Sequence, residues 1–350
     1  MKLSIVSPAY NVGQYLPNYF NSIFSQNIDV DHLEVILVDD GSTDNTKEVV
    51  EDYINKYPNF IYIYQENQGQ SVARNNGLKR ATGDLIWYVD SDDEVSENSI
   101  KTIFSYFEKY PSSDFLIFDS IRNELDTGNI SYRKSWRYTS INFLKKPINF
   151  YDVPLGRKGN SILLACVPWL FIFKRSYLIN NELFFTPKIL HEDDEIRMRI
   201  FFFVKEMHYI KYAHYRYSAN RPGSLTTTHD ERMIANINSS LLTINNWKLF
   251  ESKYAINKID HIYINSFINY QYSQILLNRT NNNDNIQQLF KTKLKEWKSD
   301  YIKSFSKSFS ISDFSFVKIV RFLVVLFCPN YYEYTKFTVL RNKFKSFLHK

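Results

Sequence analysis

Three groups of carboxylates in this sequence could do chemistry. Asp39 and Asp40 close one apolar run, and Asp90, Asp92 and Asp93 close another. Further on, His191-Glu192-Asp193-Asp194-Glu195 places four consecutive acids before the apolar-rich run Ile196–Val204. Carboxylates crowded into one cleft repel each other unless a cation sits among them, and hard oxygen ligands suit Mg2+ or Mn2+. A metal that also holds phosphates is the natural expectation. The plainer alternative is that acids after strands form turns and caps, and that acids opening a helix complement its dipole. Other chemistries lose their support. Asp90-Ser91-Asp92-Asp93-Glu94 is no EF-hand loop, because Val95 takes the glycine position and Lys101 that of the bidentate glutamate. No Gly-x-Gly-x-x-Gly follows the first strand, no P-loop Gly-Lys-Ser/Thr occurs, and the seven His and two Cys show no ligand spacing.

These acids need elements to hold them. The first 120 residues alternate β-branched and aromatic runs with helix-like stretches, the habit of a parallel sheet with crossover helices. Strands are expected near Leu3–Ser7, Glu34–Asp39, Phe60–Tyr64, Asp84–Val89 and Asp114–Asp119. Helices are expected near Gln14–Gln26, Thr43–Tyr57, Gln70–Ala81 and Ser96–Lys109, with Ser42 or Thr43 capping the second and Ser96 the fourth. In an open parallel sheet ligands bind at the carboxyl ends of the strands, so the clusters at 39–40 and 90–93 point to one crevice. From Ile121 to Asn160 the pattern loosens into an expected variable loop region. A strand near Val167–Phe173, a helix near Asp193–Val204 and a strand near His208–Tyr217 follow. After Ser224 long helical segments take over, broken by a polar linker at Asn278–Asn285, and a boundary is expected near residue 225.

The chain has 350 residues, 44% hydrophobic and 17% aromatic, which suits a large α/β domain with an appendage and excludes wholesale disorder. Its net charge of +6 lies entirely beyond Asp313, where seven basic residues face the single acid Glu333. Residues 1–313 are therefore formally neutral, which argues against a nucleic-acid-coating domain and leaves a locally basic C-terminus. Cys166 and Cys328 make no disulfide framework, and the start MKLSIVSPAYN lacks the apolar core of a secretion signal, so a reducing cytoplasm is expected. The apolar run Phe322–Cys328 is far short of the ~20 residues that cross a bilayer.

Four blocks carry a resemblance: Ser7-Pro8-Ala9-Tyr10-Asn11, Val38-Asp39-Asp40-Gly41-Ser42-Thr43-Asp44, Asn67-Gln68-Gly69-Gln70-Ser71-Val72-Ala73-Arg74-Asn75 and Val89-Asp90-Ser91-Asp92-Asp93. In order and spacing they resemble the family 2 glycosyltransferases over roughly residues 1–225. The resemblance implies an α/β GT-A fold, a Rossmann-like, mostly parallel sheet with flanking helices, followed here by a helical C-terminal region over 226–350. It also implies a nucleotide-sugar donor, probed first as a UDP-sugar, a divalent cation (Mn2+ or Mg2+), and single displacement with inversion at the anomeric carbon.

Carried over position by position, Tyr10 resembles the residue packing on uracil and Asp39 the acid bonding the base, with Pro8, Asn11, Asp40 and Ser91 lining the same donor site. Arg74 is similar to the arginine that helps hold the nucleotide. Asp90 and Asp92 resemble the DxD acids, Asp92 being the direct metal ligand, and Asp93 is placed to touch donor sugar or water. The Glu-Asp element is resembled by Glu192-Asp193, making Asp193 the general base; the base must stand within ~3 Å of the acceptor hydroxyl, which only Asp193 or Asp194 could do. Glu192, Asp194 and Trp169 are expected at the acceptor. Arg221, in the loop-like stretch Tyr215–Thr226, is expected to close over the diphosphate. For Tyr10 and Trp169 the alternative is a core aromatic, for Arg221 a surface arginine.

The family's processive synthases add transmembrane helices and a Gln-x-x-Arg-Trp element that this sequence lacks, so addition of one sugar is favoured. The tail sets Phe316, Val317, Ile319, Val320, Phe322, Leu323 and Leu326 beside Lys318, Arg321, Lys336, Arg341, Lys343 and Lys345. That pattern suits peripheral contact with anionic lipid at the cytoplasmic face of a bacterial inner membrane, or an amphipathic helix docked on the catalytic domain. The rival functions are a sugar-1-phosphate nucleotidyltransferase, whose Gly-rich, Arg-containing loop is not supplied by residues 7–11, and a non-catalytic nucleotide-sugar-binding protein.

Overall fold

The computed structural model describes residues 1–133, 167–220, 231–277 and 284–307. The chain forms two compact units, one built on a sheet and the other on long helices.

In the first unit, β1 (Leu3–Ala9), β2 (Leu33–Asp39), β3 (Phe60–Tyr64) and β4 (Leu85–Tyr88) run parallel in the order β3-β2-β1-β4. Every residue of β2 is buried, as expected of a strand covered on both faces. Next come β8 (Phe171–Lys174), antiparallel to β4, then β6 (Phe115–Glu124), β9 (Met207–Ala219) and the short β5 (Glu94–Val95). β6 and β9 are parallel to each other, while β7 (Ile130–Arg133) adds an antiparallel edge to β6. Helices α1 (Leu16–Phe24), α2 (Thr46–Ile54), α3 (Gln70–Arg80) and α4 (Ser99–Lys109) make the crossovers, with α5 (Arg175–Asn180) and α6 (Glu192–Phe203) following β8. α3 lies close on the sheet because residue 77 is glycine: a Cβ there would fall 2.3 Å from Cγ1 of Val6.

The expected strands and helices of the first 120 residues are all present, with ends shifted by a few residues. The sheet is mostly parallel, as expected, with β8 entering antiparallel. Other expectations need correction. Within the expected loop region from Ile121, β6 continues to Glu124 and pairs with β7, while 134–160 lie outside the described residues. The strand expected from Val167 begins with a 3-10 turn, Pro168–Leu170, where proline fixes φ and removes a ladder donor. Asn45 and Asn98 occupy the caps of α2 and α4. Ser42 is instead occupied between loops, its hydroxyl accepting the Asn11 amide at 2.9 Å.

The second unit contains α7 (Glu231–Tyr254), α8 (Lys258–Leu277) and α9 (Asp284–Lys307). The expected boundary at 225 falls between β9 and α7, outside the described residues, as do 278–283 of the expected linker and the whole tail after Lys307. Among the described residues no helix is long and apolar enough to cross a membrane.

Candidate functional site

Because β1, β2 and β4 are parallel, the segments following them meet at one edge of the sheet. Tyr10 stands there 49% exposed, an aromatic face open to a ligand and no part of the core. Asn11 takes a left-handed conformation (φ 53°), and its Oδ1 accepts the Thr43 amide at 2.8 Å, tying the loop after β1 to the loop after β2. Asp39 is 1% exposed; its oxygens accept the Ser42 amide at 2.8 Å and the Tyr62 hydroxyl at 2.7 Å. Asp40 accepts the amides of Gln68 and Gly69, both at 2.8 Å, and the Gln65 side chain at 2.7 Å. Both carboxylates thus hold turns at the edge where the expected donor site lies. Ser91 is likewise buried, donating to the Pro8 carbonyl at 2.7 Å and joining the ends of β1 and β4.

The acidic turn after β4 has an open side and a closed side. Asp90 and Asp92 are partly exposed. Asp93 is buried, accepting the Tyr215 hydroxyl at 2.6 Å and the Ser218 amide at 2.7 Å. Burial first, then the charges of Asp92 and Asp90, push the Asp93 carboxyl well above the ordinary range, against the pull of those two hydrogen bonds. Tyr215 also accepts the Asp90 amide at 3.1 Å, and Trp169 stacks on its ring with centroids 4.3 Å apart. Trp169 is 6% exposed and backs the acidic turn through Tyr215. Among the described residues no three His, Cys, Asp or Glu stand close enough together to hold a metal ion by themselves.

α6 begins at Glu192 behind a left-handed His191 (φ 63°) with its four acids in the first turn, where the helix dipole favours negative charge. Asp193 is partly exposed, and its Oδ1 accepts the Asp194 amide at 2.9 Å. Its pKa rises to about 6, through burial first and then the charges of Glu192 and Asp194, partly offset by the Asp194 amide and the Arg74 cation. Glu192 is 4% exposed and Arg74 is 3% exposed. Arg74 Nη1 donates to Glu192 at 2.6 Å and its Nη2 to Asp90 at 2.8 Å. Burial alone would lower the Arg74 pKa, but the two carboxylates overcome it and hold the guanidinium charged. Arg74 thus joins Glu192 to Asp90 through its two terminal nitrogens. Asp194 is more open and sits 3.0 Å from Arg197. Arg221 lies outside the described residues.

Sequence reasoning places a strand over His208–Tyr217, and β9 runs from Met207 to Ala219, but it does not show that Tyr215 and Ser218 bond Asp93. The register shifts around Asp119 change which residues of β9 share a face, so the period of the strand alone does not reveal those partners.

A sheet of this order, with an acidic turn after β4 and an acid-headed helix tied back to it, defines a GT-A type fold. The chain belongs to Glycosyl transferase family 2, whose match covers residues 4–179. The uncharacterized glycosyltransferase YibD of Escherichia coli is 28% identical over 224 residues, 62% of this chain and 61% of that protein. The minor teichoic acid biosynthesis protein GgaB of Bacillus subtilis is 29% identical over 223 residues, 63% of this chain and 23% of that protein. Both matches span less than two thirds of the relative's own length. In fold, the crystal structure of Staphylococcus aureus TarS 1-349 aligns with 93% of this chain and 90% of its own, with TM-score 0.67 at 20% identity.

Proposed function

We propose that this chain is an inverting glycosyltransferase that moves one sugar from a UDP-sugar to a saccharide or lipid-linked acceptor in the assembly of a cell-surface polysaccharide. One observation carries the reading: Asp193, with its pKa raised to about 6, stands partly open on a helix whose first residue is joined through Arg74 to the acidic turn. A carboxylate so tuned is ionised at neutral pH yet more basic than an ordinary aspartate, which is what a general base needs. The names of the relatives agree: GgaB is a teichoic acid biosynthesis protein, and S. aureus TarS, 25% identical over 227 residues, is a poly(ribitol-phosphate) beta-N-acetylglucosaminyltransferase.

In the transfer, the acceptor oxygen attacks the anomeric carbon while its proton passes to Asp193. The bond from that carbon to the diphosphate oxygen breaks, and its electron pair leaves with the nucleoside diphosphate. Tyr10 offers its exposed ring to the base. Asp90 and Asp92 would hold Mn2+ or Mg2+, which when bound neutralises charge on the leaving diphosphate. The residues fit such an ion, since Asp90 and Asp92 are partly open carboxylates whose negative charge is felt at Asp93. Arg221 is proposed to close over the same phosphates, and the basic tail to hold the enzyme at the cytoplasmic membrane face.

Screening UDP-sugars for hydrolysis stimulated by Mn2+ or Mg2+ identifies the donor. Asp193→Asn is expected to bind UDP as the wild type does and to lose at least ~100-fold in hydrolysis and transfer. Near-normal turnover would remove Asp193 from the reaction.

A further inference from the structure

α3 reaches from the donor side of the site to the segment that carries the base, and it does so with consecutive residues. Asn75 bonds the backbone of Phe185 in both directions: its Nδ2 donates to the carbonyl at 2.7 Å, and its Oδ1 accepts the amide at 2.8 Å. Arg74 lies with its guanidinium carbon 5.3 Å from the Phe185 ring centroid and sends one terminal nitrogen to Glu192 and the other to Asp90. The first turn of α6 is thereby bonded to the acidic turn through a single buried cation. A guanidinium is suited to this, because its planar fork bonds two carboxylates at once, which the point charge of lysine cannot reproduce.

We propose that Arg74 is a positioning residue for the transfer, setting the base-bearing turn of α6 against the Asp90 turn through Glu192. The proposal rests on Asp193 being the base. Its consequence is that Arg74 acts on the chemical step and hardly on nucleotide affinity, because its terminal nitrogens are taken by protein carboxylates. Misplacing a reacting group by about 1 Å can cost on the order of 100-fold in rate.

The charges around Asp193 give the test a sign. Glu192 and Asp194 on its own helix raise its pKa, while Arg74 on α3 lowers it. Replacing Arg74 should therefore move the acid limb of the rate profile to higher pH, and replacing Glu192 should move it to lower pH, while both reduce kcat. The opposed shifts report that both charges stand beside Asp193, and the fall in kcat at unchanged UDP affinity is what marks positioning.

The measurement is hydrolysis of whichever UDP-sugar the full-length protein cleaves fastest, followed from pH 5 to pH 8, with UDP affinity measured separately. Arg74→Lys is expected to lower kcat by ~10- to 100-fold with KM within about threefold. Arg74→Gln should shift the acid limb up and Glu192→Gln should shift it down. Should Arg74→Gln fail to fold, Glu192→Gln carries the test, since its amide oxygen can still accept from the guanidinium. A loss confined to KM and UDP affinity, or kcat unchanged in the variants that fold, overturns the proposal. Asp193→Asn separates this failure from the other: an active Asp193→Asn removes the base itself, whereas an inactive one beside an Arg74→Lys of normal kcat removes only the coupling.

Discussion

At the scale of single residues, the behaviour of Asp193 follows from its surroundings. A base must be ionised to accept a proton, so a pKa near 6 predicts a rate that climbs as pH rises through 6 and levels above 7. An ordinary aspartate would already be ionised by pH 5. The measurement is kcat for UDP-sugar hydrolysis against pH, and a profile flat from pH 5 to pH 8 would contradict the assignment. The sequence made the edge acids legible because each closes an apolar run. It did not show which of them would be engaged. Asp39, Asp40 and Asp90 look alike as letters, yet backbone amides and a tyrosine hydroxyl have closed the first two inward, while Asp90 keeps an open side. Those partners come from loops 3 to 29 residues away, a relation fixed only when the strands align.

At the scale of elements, close approach sets the site. α3 brings Arg74 and Asn75 to their partners because Gly77, three residues after Arg74, lets it lie on β1. A Cβ at position 77 would meet Cγ1 of Val6 at 2.3 Å, so Gly77→Ala is expected to destabilise the protein by about 1–3 kcal/mol, read from chemical denaturation. The glycine was visible in the sequence, but its reason was not, since helical periodicity says nothing of the distance to a strand 71 residues earlier. Packing of β9 on α4 yields a second prediction. His214 is fully buried, its Nδ1 lies 3.0 Å from the Ser99 hydroxyl, and its Nε2 has no hydrogen-bond partner. Burial lowers its pKa from 6.5 to about 4. The unfolded chain therefore takes up the proton first on acidification, and stability is lost as pH falls from 6.5 toward 4, by up to about 3 kcal/mol from this group. His208, whose pKa burial also lowers, steepens the same slope. Melting temperature followed across that window should fall less steeply for His214→Gln than for the wild type, and an unchanged slope would rule His214 out as its source.

At the scale of the molecule, charge is distributed unevenly. The first 313 residues balance to zero, while the last 37 carry seven basic residues and one acid. A neutral catalytic body gains nothing from a general electrostatic field, so the surplus acts locally, where a surface of anionic headgroups would attract it by roughly 1 kcal/mol for each Lys or Arg near the membrane. Ion pairing of this kind weakens as salt shortens the screening length from about 10 Å at 0.1 M to about 3 Å at 1 M. The 350-residue chain is therefore expected to sediment with vesicles containing phosphatidylserine at 0.1 M salt, to be released at 1 M, and to ignore vesicles of phosphatidylcholine alone. A chain ending at Asp313 should stay in the supernatant under all three conditions while hydrolysing UDP-sugar at the rate of the 350-residue chain. Because Asp193 and the acidic turn both belong to the first unit, a tail that serves only to bring the protein to a lipid-borne acceptor could be removed without touching kcat for water. If deletion lowers that rate while vesicle binding persists, the basic segment belongs to the folded body and the membrane is held by some other surface.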